Sequence, residues 1–334
     1  MNRILLVRTS SLGDMIHVLP VVSDIQRHFP GATIDWVAEE AFAEIPAWHP
    51  GVNEVIKVAH RRWRKSWWAP EVKAEREALR ERLGRYHYDV VLDMQGMLKT
   101  VWVARQAQGR RHGLDWKSAR EAIASLFYDV KHRIEFWQPG VLRQRQLGAK
   151  TFGYNLDAPP DFGLSRFLIR PEPPASFVEA YEQREAPYAV IMPSASRPEK
   201  RWADAHWHQV FAQLRQAGLQ LRIVSGSQAE FEWAQSLVQG MDGVTVLPRM
   251  ALTEVAQLLA GARVMLGLDT GLTHLSAALG RPTIGIYTDS TPRRGGLVGT
   301  AYTASLGDKG QPPDYEAVRR AIEQAMGPTV SLPI

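Results

Sequence analysis

The chain has 334 residues, 45% of them apolar and 22% charged, with a formal charge of +5 and no cysteine. That length suggests two domains. The missing cysteines exclude a disulfide framework, a thiolate metal site and a thiol nucleophile, and fit a reducing compartment. No basic–apolar–small leader pattern opens the chain and no apolar run is long enough to span a bilayer, so it reads as a soluble protein.

The charge is unevenly spread. Residues 1–170 carry 26 Lys/Arg against 19 Asp/Glu, whereas residues 171–334 carry 14 against 16. Eight of the 11 tryptophans also lie before residue 170. The first half therefore looks built to meet an anion, whether nucleic acid, an anionic membrane surface or a small acidic substrate.

In chain order, Arg3–Val7 reads as a strand and Val18–His28 as a helix closed by Pro30–Gly31. Strand Thr33–Ala38, a short helical stretch Glu40–Ile45 and strand Glu54–Val58 follow. Helix Ala69–Leu83 and strand Asp89–Met94 come next, and residues 118–154 read as mainly helical. The strand runs are almost continuously apolar, as parallel sheets require. Pro159, Pro160, Pro171, Pro173 and Pro174 punctuate the chain like a linker. The alternation then restarts with strands at 188–192, 220–225, 244–246, 264–268 and 283–287, and with helices at 205–217, 229–238, 252–259, 272–279 and 314–326. Two such βα domains would set a cleft between the carboxyl edges of two parallel sheets, where α/β proteins bind ligands.

Four stretches carry chemistry-bearing residues. Arg8-Thr9-Ser10-Ser11-Leu12-Gly13-Asp14 joins the first strand to its helix. Its small residues and hydroxyls suit an anion, and Asp14 reads either as a helix cap or as a general base. Asp269-Thr270-Gly271-Leu272-Thr273-His274 opens another helix and suits phosphate or ribose, or plain capping with a core histidine. Ser194 to Trp202 holds two hydroxyls and three cations, suited to a diphosphate. Nearby Glu230 reads as a ribose acceptor or an ordinary first-turn acid. His60 to Trp68 packs five potentially cationic residues and three tryptophans with no acid, a mixture that suits nucleic acid, a lipid head group or an acidic sugar. No G-x-G-x-x-G loop, Walker loop, G-x-S-x-G elbow, zinc pattern or nucleic-acid motif occurs. A nucleotide-sugar epimerase or dehydrogenase and a nucleic-acid binder are disfavoured accordingly.

The segments RTSSLGDMIHVLP (8–20), DWVAEEAFAEIPAWHP (35–50), VAHRRWRKSWW (58–68), LDWKSAREAIASLFYDVKH (114–132) and LDTGLTHLSAALGRP (268–282) together resemble the bacterial lipopolysaccharide heptosyltransferases, glycosyltransferase family 9. The resemblance spans both halves. It implies the α/β GT-B fold, two facing Rossmann-like domains with a cleft between them. Residues 1–170 would bind the acceptor and 171–334 the ADP-heptose, with the last helix free to pack back on the first domain. The implied reaction transfers L-glycero-D-manno-heptose from ADP-heptose, with inversion, to the inner Kdo of Kdo2-lipid A. A sibling activity on an already heptosylated acceptor is the alternative. Asp14 carries over as the catalytic base. Ala195, Ser196, Lys200, Glu230, Met250, Asp269, Thr270, Gly271 and His274 carry over to the donor. Ser11, Arg61, Arg62, Lys65 and Arg120 carry over to the acceptor. No metal or cofactor is implied for the chemistry, and no obligate protein partner. The implied location is peripheral, on the cytoplasmic face of the inner membrane. The family commonly has two adjacent threonines where this chain has Ala195-Ser196, so one hydroxyl is lost there.

Overall fold

The computed structural model describes residues 2–168, 186–194 and 200–327. It divides into two compact units, one ending at Gly163 and the other beginning at Leu164. Pro171, Pro173 and Pro174 of the proline-rich stretch lie outside the described residues, as do Ala195 and Ser196 of the candidate diphosphate loop.

The first domain is built on six parallel strands: β1 (Arg3–Val7), β2 (Thr33–Glu39), β3 (Val52–Val58), β4 (His87–Asp93), β5 (Gln108–Leu114) and β6 (Val130–His132). They lie in the order β3-β2-β1-β4-β5-β6. Residues Ile4 to Val7 are fully buried because β1 is central and covered on both faces. One face packs Leu5, Val7 and Val91 against Val72, Leu79 and Leu83 of the helix Pro70–Gly84. Each such side chain contributes about 1.5–3 kcal/mol on burial. Helix Leu12–His28 also packs against helix Gly140–Phe152. Between those two, Arg145 donates to Asp24 at 2.7 and 2.9 Å, with both side chains almost wholly buried. Removing one partner of such a pair costs about 3–5 kcal/mol.

Three features differ from the sequence reading. The first helix begins at Leu12, not Val18, and carries Pro20 inside it. Residues 118–154 are not mainly helical: a 3-10 turn (Ala122–Phe127), β6 and only then helix Gly140–Phe152 occupy them. Strand β5, of sequence QGRRHGL, carries no apolar run. It pairs through its backbone with β4 and β6 while its first half stays open to water.

The second domain repeats the plan with β7 (Tyr188–Met192), β8 (Gln220–Ile223), β9 (Val244–Val246), β10 (Val264–Leu268), β11 (Thr283–Tyr287) and β12 (Thr303–Gly307). Their order, β12-β11-β10-β7-β8-β9, is the same topology read from the other edge. Trp207, Phe211 and Leu214 of helix Asp204–Gln216 pack with Leu221, Leu266 and Ile284 in its core. The last helix, Tyr315–Met326, buries Val318, Ala321 and Ile322 in this same core. Its apolar face therefore packs within its own domain.

In each sheet the connections reverse direction at one place, between β1 and β4 and between β7 and β10. Beyond the carboxyl ends of such strands a crevice opens where ligands bind.

Candidate functional site

In the first domain the loop after β1 is held by strand β2 and by the segment after β4. Arg8 Nη1 donates to the Met94 carbonyl at 2.6 Å, and Trp36 Nε1 donates to the Arg8 carbonyl at 3.0 Å. The Thr9 N–H and hydroxyl both donate to Gln95 Oε1 at 3.0 Å. The Glu39 N–H donates to the Thr9 carbonyl. Lys99 Nζ donates to the Ser10 hydroxyl at 2.9 Å.

Asp14 stands on the first turn of helix Leu12–His28. Its Oδ2 accepts from the Ser11 N–H at 3.0 Å and the Ser11 hydroxyl at 2.9 Å, and its Oδ1 lies 2.7 Å from Arg8 Nη2. The carboxylate therefore caps its helix and is also the charged partner of a buried arginine. Burial pushes its pKa up, but Arg8, His17 and the Ser11 donors outweigh that and hold it well below the usual carboxylate range. With 36% of its side chain exposed, it remains reachable by a substrate.

A pocket of about 540 Å³ opens beside this loop, lined by Ser10, Glu39, Arg61, Arg64, Lys99 and Trp102 among others. Buried Glu39 accepts from the Arg61 N–H at 2.9 Å and lies 3.4 Å from His60 Nδ1. Burial raises its pKa, and those two partners bring it below the ordinary value. Lys99 has its pKa lowered, first by burial and then by Arg61, Arg8 and Arg120 against the opposing pull of Glu39. Arg61 and Arg120 are thus close enough to act electrostatically on the same ammonium. Arg62 faces elsewhere: it is bridged by Glu40 at 3.1 Å and Glu75 at 2.9 Å. Lys65 is exposed outside the pocket lining.

In the second domain Asp269 follows β10. Its Oδ2 accepts from Lys200 Nζ at 3.1 Å and the Ser290 hydroxyl at 2.6 Å, and its Oδ1 lies 3.4 Å from His274 Nε2. Burial raises the Asp269 pKa, but His274, Lys200 and Ser290 together hold it well below the carboxylate range. Lys200 also donates to the Asp269 carbonyl at 2.9 Å, which leaves one ammonium proton for a ligand. Its backbone is fixed by Thr288, whose hydroxyl donates to the Lys200 carbonyl, and by buried Trp202 beside it. Thr270 precedes helix Gly271–Ala278, which starts directly beyond β10 and whose first N–H groups have no intrahelical partner. Glu230 Oε2 accepts from the Gly226 N–H at 2.7 Å and the Ser194 hydroxyl at 3.3 Å, so it joins the loop after β7 to the loop after β8. Met250 is half-buried just before helix Leu252–Gly261.

The structure therefore brings Lys200, Asp269, Thr270, Gly271 and His274 together at the second switch point, and Ser11, Asp14 and Arg61 to the first. Gln95, Lys99 and Ser290 were not foreseen. The only trace of the first two in the sequence is a glycine-bearing turn, MQGMLK, after an apolar strand. Among the described residues no group of three or more His, Asp or Glu side chains is placed to hold a metal ion. No helix among them is long and apolar enough to cross a membrane.

Solved structures share this architecture. The protein described as "E. coli heptosyltransferase WaaC with ADP" superposes with a TM-score of 0.86 and 40% identity, covering 97% of this chain and 99% of the other. The same enzyme with ADP-2-deoxy-2-fluoro heptose gives 0.83 and 39%, covering 96% and 99%. The chain is a glycosyltransferase of the GT-B fold class, made of two Rossmann-like domains. The family model "Glycosyltransferase family 9 (heptosyltransferase)" matches residues 76–323. Lipopolysaccharide heptosyltransferase 1 of Escherichia coli K12 is 43% identical over 89% of this chain and 90% of its own length, and that of Pseudomonas aeruginosa is 42% identical over 89% and 81%. The chain belongs to glycosyltransferase family 9, the heptosyltransferases.

Proposed function

We propose that the protein transfers L-glycero-D-manno-heptose from ADP-heptose to the inner Kdo of Kdo2-lipid A, with inversion at the anomeric carbon. The observation that carries this reading is the ionised, accessible carboxylate of Asp14 beside a cation-lined pocket, in a chain 43% identical to a lipopolysaccharide heptosyltransferase 1. Asp14 takes the proton of the acceptor hydroxyl as that oxygen attacks the anomeric carbon from the face opposite ADP. Ser11 fixes the carboxylate, while Arg61, Lys65 and Arg120, with Lys99, offer cations to an acidic sugar and its phosphates. Arg62 supports that side from its bridge between Glu40 and Glu75.

On the donor side, Lys200 and the N–H groups of Thr270 and Gly271 stabilise charge growing on the departing diphosphate. Ala195 and Ser196, by the family resemblance, bind the same diphosphate. Asp269 and His274 position Lys200, Glu230 holds the ribose hydroxyls and Met250 packs on the adenine. The protein works at the cytoplasmic face of the inner membrane, reaching its lipid acceptor from the water side.

A sibling activity on an already heptosylated acceptor is less well supported, because E. coli lipopolysaccharide heptosyltransferase 2 is only 26% identical over 87% of the chain. Transfer measured with ADP-heptose against Kdo2-lipid A and against its heptosylated product decides between them. Turnover only on the second acceptor overturns the proposal.

A further inference from the structure

Beyond the wall of the acceptor pocket lies a second pocket, of about 550 Å³. The two share Trp102. The second is lined by Lys73, Arg76 and Arg80 from helix Pro70–Gly84, by Arg105 just past helix Leu98–Ala104, and by Trp68. Positions 73, 76 and 80 follow the three-to-four spacing of one helix face, so the three cations converge on one side. Glu77 is the only carboxylate in the lining, leaving a formal excess of three positive charges.

These cations differ from those of an ordinary solvated helix face. Among the described residues, none of the four forms an ion pair, although the same helix supplies Glu75 to Arg62. Arg76 is sandwiched instead, its guanidinium 3.6 Å from the Trp67 ring centre and 5.8 Å from that of Trp102. Its Nε is enclosed without a hydrogen-bond partner. Arg105 lies 5.4 Å from the Phe127 ring centre. Ring stacking keeps guanidinium planes in place without neutralising them, so their charge stays available to an anion. Trp68 is 77% exposed at the rim, an apolar ring in water next to four cations. That pairing suits a ligand with a phosphate and a hydrocarbon part.

We propose that this pocket binds the phosphate of a lipid head group while the neighbouring pocket holds the sugar to be glycosylated. The proposal rests on the heptosyl-transfer reading only for the second half of that statement. The phosphate belongs either to the glycolipid acceptor or to a phospholipid of the surrounding bilayer, and both present the same anion to the same cations.

The test is the triple variant Lys73→Gln/Arg80→Gln/Arg105→Gln, whose three positions are exposed. Melting temperature and ADP affinity, both expected to be unchanged, report on folding; should the triple variant melt early, Arg80→Gln alone replaces it. Heptosyl transfer is measured with Kdo2-lipid A and with its phosphatase-treated form, and sedimentation with phosphatidylglycerol vesicles against phosphatidylcholine vesicles. A rise of about tenfold in KM for the phosphorylated acceptor alone, with kcat kept, assigns the pocket to the acceptor. An unchanged KM with lost sedimentation on phosphatidylglycerol assigns it to the bilayer. The proposal is overturned if the variant matches the parent in both assays. Should the parent itself transfer no heptose, the functional reading fails, and the vesicle measurement alone then decides the pocket.

Discussion

Arg8 Nη2 and Asp14 Oδ1 lie 2.7 Å apart across the turn that joins the first strand to the first helix. Arg8 is almost wholly buried and Asp14 is one-third exposed, so the fixed charge is inside and the reactive one faces out. With His17 and the Ser11 donors, this pair holds the Asp14 carboxyl well below the usual carboxylate range, so it is ionised at neutral pH. Asp14→Asn keeps the cap and loses the base, lowering kcat by about 10²–10⁴-fold while ADP affinity holds. Arg8→Gln removes the charge that depresses the carboxyl and leaves the burial that raises it. The acid limb of the kcat profile then moves to higher pH. Transfer assays from pH 4.5 to 8 check both, and an unshifted limb ends the argument for Arg8.

Lys200 is anchored by Asp269 yet keeps one proton to give. Lys200→Gln weakens ADP binding by about tenfold or more, equivalent to about 1.4 kcal/mol, by isothermal titration. Adenosine, which has no diphosphate, binds the variant and the parent alike. Equal weakening of both ligands points to local collapse instead of a lost phosphate contact.

Arg61 and Arg62 are adjacent in sequence but differently engaged. Arg61 lines the pocket beside Lys99, whereas Arg62 is held by Glu40 and Glu75. Arg61→Ala raises the acceptor KM by about tenfold with donor KM unchanged. Arg62→Ala raises it less, because its charge is already answered. Steady-state kinetics in both substrates separate the two, and the reverse ranking contradicts the geometry.

His49 is buried between helix Leu12–His28 and the loop ending the first domain, with Ser23 Oγ at 2.9 Å from Nε2 and the Gly51 N–H donating to Nδ1 at 3.0 Å. Burial lowers its pKa to about 4, with Asp161 opposing. The unfolded chain, with a histidine near 6.5, binds the proton more readily. Stability is therefore complete above that value and is lost as pH falls toward 4, by about 3 kcal/mol from this group. Urea unfolding at pH 7 and pH 4.5 measures the loss, and His49→Asn, which keeps an acceptor for the Gly51 N–H, reduces it.

Much of this was legible before folding. RILLV, YAVIM, VTV, VMLGL and TIGIY form the strands their composition announces, because each is a short apolar run bounded by polar turns. QGRRHGL and TASLG were not, because those strands gain their place from backbone pairing with an apolar neighbour and not from their own side chains. The same limit applied to the site. Asp14, Asp269 and His274 sit in dense local motifs. Gln95 and Lys99 lie 86 and 89 residues further along the chain from the loop residues they hold, and only the crossing from β1 to β4 brings them there.

That crossing orders events on the ribosome. The first strand is made well before its second flank, β4, which ends only at Asp93. Until then a strand with four consecutive apolar residues, Ile4 to Val7, has one edge without a partner, an invitation to chaperones or to pairing with another nascent chain. The loop bearing Asp14 takes its working shape only when Gln95 and Lys99 arrive, so in vectorial synthesis the base is made well before the residues that give it its setting.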